Sequence, residues 1–131
     1  MRIPQKEFTD ELKRQIEYTE TELQLYLEKW LLRYQPAFLQ NYMVLDGGVD
    51  KEGTDPFQPD YRSSLVISIS DENEELIDLQ TIPIWTCERY FFGFPVAQNF
   101  PLSQGIGELL DESLEDIQEE LQEYIENFLE S

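Results

Sequence analysis

Apolar side chains recur by threes and fours from Phe8 to Tyr34, and this periodicity constrains the fold more than any other feature of the chain. Phe8, Leu12, Ile16, Thr19, Leu23, Leu27, Trp30 and Tyr34 fall on one face of a long helix. Pro4 and Thr9 or Asp10 supply start signals, and Gln35-Pro36 supplies the stop, because the residue before a proline avoids the helical region. A second apolar line, Tyr18, Leu25 and Leu32, recurs every seven residues nearly opposite the first. Either a later segment of the chain covers it, or it is the seam of a homodimer or of a contact with another protein.

Pro36 to Leu45 suits a short second helix with Gly47-Gly48 as its stop, a strand over Tyr42 to Leu45 being the alternative. Residues 46–62, rich in Gly, Asp and Pro, then read as a long loop. Ser64 to Ser70 alternates apolar and small residues, Asp71 to Glu75 is a polar connection, and Leu76 to Ile84 returns as an antiparallel partner. The apolar parity slips between Ile77, Leu79 and Ile82, Ile84, which calls for a bulge near Thr81 or a strand break at Pro83. Trp85 to Phe94 is a third strand, and Glu108 to Leu129 a final amphipathic helix.

The expected fold is therefore α+β and a single domain over residues 1–131. A small antiparallel sheet of two or three strands carries a long N-terminal helix, a short second helix and a C-terminal amphipathic helix in a two-layer sandwich. Hydrophobic residues at 40% and aromatics at 13% set the chain apart from disordered acidic segments, which lack the apolar surface to offset the entropy of ordering.

Charge is the second constraint. The net −19 is uneven: residues 1–34 carry six basic and seven acidic side chains, whereas residues 35–131 carry three and twenty-one. Such a field opposes direct binding to nucleic acid or to an anionic membrane and speeds the capture of a basic protein. On the last helix Glu108, Glu112, Glu115, Glu119, Glu123, Glu126 and Glu130 cluster opposite Ile106, Leu110, Leu114, Ile117, Leu121, Tyr124, Ile125 and Phe128. Asp111, Asp116 and Glu120 flank the acids, and no base occurs after residue 107. Like charges at i,i+4 and acids in a last turn both weaken a helix. The stripe therefore reads as a surface aimed at something positive, with a solvated face partly neutralised by the first helix as the plainer alternative. At roughly 1.5 Å rise per residue it carries one charge per about 5 Å, sparse beside a duplex at about 1.7 Å.

The remaining chemistry is thin. Without histidine the chain lacks the commonest general base and transition-metal ligand. The loop acids Asp46, Asp50, Glu52, Asp55 and Asp60 fit no register of an EF-hand. Cys87, the single cysteine, forms no internal disulfide and reads as a buried structural thiol. The aromatics Trp85, Tyr90, Phe91, Phe92 and Phe94 read as core, with Phe57, Tyr61 and Phe100 placed to cap the long loop. No nucleotide-binding or nucleophile motif is present, so no cofactor, metal or catalytic residue is assigned. The N-terminus lacks the apolar run of a signal peptide and no segment reaches membrane-spanning length, which makes the cytoplasm the expected location.

The expected function is non-catalytic binding: an inhibitor or immunity-type protein that neutralises a basic, nuclease-like partner through its carboxylates. A self-associating accessory subunit and a nucleic-acid mimic acting on a DNA-binding protein are the alternatives.

Overall fold

The computed structural model describes residues 1–92, 94–96 and 103–130. Phe100 lies outside them. The elements run β1 (Arg2–Pro4), a 3-10 turn (Gln5–Glu7), α1 (Asp10–Gln40), β2 (Met43–Glu52), β3 (Arg62–Asp71), β4 (Leu76–Phe91), β5 (Phe94–Val96), β6 (Gln104–Leu109) and α2 (Leu114–Glu130). The fold is α+β, but its sheet has six antiparallel strands in the order β1-β6-β4-β3-β2, with β5 paired to β4. The expected sheet of two or three strands and the expected short second helix are both overturned.

The physical reasons are local. Thr9 caps α1, its Oγ1 accepting the Leu12 N–H at 3.1 Å. The helix runs 31 residues, straight through Pro36. Pro36 is exposed, so the carbonyl it leaves unpaired meets solvent, while fully buried Phe38 holds the following turn against Phe128. The stop falls at Asn41-Tyr42, with Tyr42 in the left-handed region at φ 60°.

Gly47 and Gly48 belong to β2 and make no turn; Gly47 serves close packing. A Cβ on Gly47 would lie 2.6 Å from the Val66 carbonyl oxygen and 3.3 Å from Leu27 Cδ2. β2 is an edge strand, and α1 blunts that edge with side chains: Val49 N–H donates to Gln24 Oε1 at 2.7 Å and Gln35 Nε2 donates to the Leu45 carbonyl at 3.0 Å. Of the segment read as a loop only residues 53–61 remain one.

β4 shifts register against β3 twice, leaving Ile77 and Ile84 unpaired in the ladder, the second beside Pro83. This second bulge lets both Ile84 and Trp85 be buried. Residues Gln104–Leu109 form a strand because Gly105 and Gly107 leave room for neighbours; the Trp85 indole lies where a Gly107 side chain would stand. The core gathers Leu65, Ile67, Ile69, Ile84 and Cys87 of the sheet against Ile16, Leu23 and Leu27 of α1 and Ile117, Leu121 and Ile125 of α2. Both helices meet this apolar side, while Val66, Ser68 and Ser70 alternate onto the other. Among the described residues no helix is long and apolar enough to cross a membrane.

Candidate functional site

Ser113 opens α2, its Oγ accepting the Asp116 N–H at 3.1 Å. Three buried side chains, Ile117, Leu121 and Ile125, fix the rotation of the helix and turn Glu115, Glu119, Glu123, Glu126 and Glu130 to solvent in one stripe. Glu108 is not among them. It sits on β6 opposite Thr86 and Arg2 and acts electrostatically on Tyr90, a sheet position remote in role from the helix. Glu112 precedes α2 and lies beside Glu120: hydrogen bonding between the two carboxyls, a slight loss of hydration and the charges of Glu112, Asp116 and Glu123 raise the Glu120 carboxyl pKa.

Among the described residues ion pairs join the Met1 amino group to Asp111 (2.8 Å), Lys13 to Asp55 (3.9 Å), Lys51 to Glu20 (3.9 Å) and Arg62 to Glu52 (3.7 Å). No carboxylate of α2 takes part in one. Lys13 is turned toward the 53–61 loop, while Arg33, over the Tyr34 ring, and Lys29, on a cavity shared with Leu114 and Gln118, stand near α2 without forming an ion pair with it among the described residues.

The second line on α1 stays exposed among the described residues. Tyr18, Leu25 and Leu32 are 61%, 49% and 75% exposed, and Leu39, seven residues further, continues the line at 62%. The aromatic segment divides. Trp85 is fully buried, its Nε1 donating to the Pro56 carbonyl at 2.7 Å, while Phe92 and Phe94 are 86% and 71% exposed. Phe57 stacks on Phe8 at 4.7 Å and closes the 53–61 loop over Trp85. Cys87 is buried, and loss of hydration pushes its thiol pKa up to about 11.

One charged group escaped the sequence reading. Glu20 interrupts the buried stripe of α1 between Ile16 and Leu23 and is only 2% exposed. The Tyr61 hydroxyl donates to its Oε2 at 2.7 Å, and burial together with this carboxylate raises the phenol pKa well above its ordinary value. The signal was present in the sequence: an acid four residues after Ile16 and three before Leu23 shares their face. The 53–61 loop is shaped to bring Tyr61 there. Gly53 takes φ +93° and passes 3.1 Å from the Tyr61 ring measured at the position of a Cβ, while Asp60 N–H and Cys87 N–H bond across to Cys87 and Tyr61 carbonyls at 2.8 and 2.9 Å.

Comparison with family models, with characterised proteins and with solved structures finds no match to this chain. Function is therefore argued from the surface itself.

Proposed function

We propose that this is a non-catalytic acidic binding protein of the inhibitor or immunity type, which captures a basic, nuclease-like protein through the exposed face of α2. The observation that carries the reading is the run of Glu115, Glu119, Glu123, Glu126 and Glu130, all exposed and none ion-paired among the described residues. The charge thus faces solvent, where it steers a cationic surface and fixes its register. Affinity capture from lysate at low salt, eluted by a salt gradient, tests it against a variant with Glu115, Glu119, Glu123 and Glu126 all changed to Lys. The expected result is a basic protein released at moderate salt and lost with the variant, whose activity the native chain suppresses. Equal capture by the variant would overturn the assignment of the site. The nucleic-acid mimic is the weaker relative of this reading, because the move of Glu108 onto the sheet shortens an already sparse stripe.

Self-association is supported separately by the exposure of Tyr18, Leu25, Leu32 and Leu39. Two chains of net −19 approach with least repulsion at residues 1–34, whose net charge is −1, so a second copy is the occupant that this reading commits to. It gives a dimer by light scattering that persists at high salt and dissociates with Leu25→Glu. A monomer at every salt concentration would remove it.

A further inference from the structure

We infer that the cavity beside the Glu20–Tyr61 pair is a binding site for a guanidinium group, the anchor for one arginine side chain. A cavity of about 310 Å³ opens between α1 and the 53–61 loop, with Glu17, Glu20, Thr21, Lys51, Thr54 and Tyr61 on its wall. That volume lies at the low end of ligand pockets, about 300–1,000 Å³, and suits a side chain better than a cofactor.

The carboxylate of Glu20 is built for this task in a way that the α2 carboxylates are not. It is 2% exposed, and the 2.7 Å bond from Tyr61 engages Oε2. Its Oε1 accepts no hydrogen bond among the described residues; the nearest cation, Lys51 Nζ, stands at 3.9 Å, outside hydrogen-bond range, on a side chain that is half exposed. A buried carboxylate whose second oxygen is held only by a loose ion pair to Lys51 can still accept hydrogen bonds from a further donor in the cavity. Glu17, three residues earlier on the same helix, is exposed and close enough to act electrostatically on Tyr61, so a second carboxylate faces the same space. Two carboxylates one turn apart, with Thr21 and Thr54 on the same wall, match the several donors of a planar guanidinium, where a lysine ammonium engages as a point charge. Lys51 holds the place loosely in the free protein and can swing to solvent.

The loop wall is fixed in advance. Lys13–Asp55, Tyr61–Glu20, Pro56–Trp85 and the Phe57–Phe8 stack tie it at four points. A preorganised wall with one buried carboxylate loses less on binding than a mobile rim charge does. The inference rests on the basic-partner reading only for the source of the arginine; the cavity and its ligand chemistry stand without it.

The test is an NMR titration of the full chain with N-acetyl-arginine methylamide, following the amides of Glu20, Thr21, Gly53 and Thr54. Saturable shifts at these positions are expected, absent with the neutral citrulline analogue and weakened at least about tenfold by Glu20→Gln, which keeps an acceptor for Tyr61. Glu17→Gln, at an exposed position that leaves folding intact, weakens binding too, and Lys51→Gln tightens it. Shifts that appear on α2 instead, an equal response to citrulline or to N-acetyl-lysine methylamide, or no change with Glu17→Gln and Glu20→Gln would overturn the inference. Partner capture lost only with the α2 variant, alongside a silent titration, would leave the proposed function standing and remove this site; the reverse pattern would do the opposite.

Discussion

Gly107 faces the Trp85 ring so closely that a Cβ there would lie 1.8 Å from Cη2 and 2.4 Å from Cζ2. The indole cannot yield easily, since its Nε1 is bonded to the Pro56 carbonyl and it makes T-shaped contacts with Phe8 and Phe57. Gly107→Ala is therefore expected to cost about 1–3 kcal/mol, toward the upper end of overpacking changes. A lowered urea midpoint with altered tryptophan fluorescence checks it; an unchanged midpoint would mean that the ring lies elsewhere. The glycine has a packing role that one sequence does not reveal, because the crowding partner is twenty-two positions away on another strand. Glu20, by contrast, is legible from its place on the apolar stripe between Ile16 and Leu23, beside Thr19.

The two helices behave differently as elements. α1 is stabilised by tertiary contact along its whole length, which is why Pro36 does not end it. A proline costs the helix a hydrogen bond and crowds the preceding turn, and burial of Phe38 beyond it offsets that cost. α2 is amphipathic in the sense expected, yet it starts six residues later than its periodicity suggested. The alternation of Ile106, Gly107, Glu108 and Leu109 served a strand pairing with β4, and such short runs fit either period. Its acids work against it: none of the last-turn residues is basic, and Glu126 and Glu130 meet the negative end of the dipole. Glu123→Lys and Glu130→Lys place a lysine four residues after Glu119 and Glu126. Each is expected to stabilise the fold by about 0.3–1 kcal/mol in thermal melts at low salt while weakening capture of the basic partner. Loss of stability on these changes would contradict an unpaired, solvent-facing stripe.

For the whole molecule, pH is the revealing variable. The Glu120 pKa is raised, so its protonated form is favoured in the fold; its contribution is complete below the ordinary glutamate value and is lost as pH rises through the raised one. The Asp78 pKa is lowered, first by the hydrogen bond from Tyr124, so its contribution is present above the ordinary aspartate value and is lost as pH falls through the lowered one. The melting temperature is accordingly expected to hold or rise from neutrality toward about pH 5 and to fall below about pH 4. Glu120→Gln flattens the first limb and Tyr124→Phe softens the second. Melting curves that decline steadily from neutrality would contradict the first sign.

The sequence alone determined the features set by local chemistry: the apolar face of α1, a start at Thr9 or Asp10, the hairpin from Ser64 to Ile84 (though its second strand runs on unbroken through Phe91), the burial of Cys87 and the acidic character of the C-terminal face. These follow from side-chain period, capping and charge, which need no knowledge of distant neighbours. The tertiary structure decided the rest. It made Pro36 an interior residue, turned Gly47-Gly48 from a helix stop into a contact beneath α1, drew Gln104–Leu109 into a sixth strand and carried Glu108 away from the stripe. It also set Tyr61 against Glu20 across forty-one positions of chain. Pairings of that range are chosen by which surfaces remain to be buried once the local elements exist, and the chain writes that choice only in three dimensions.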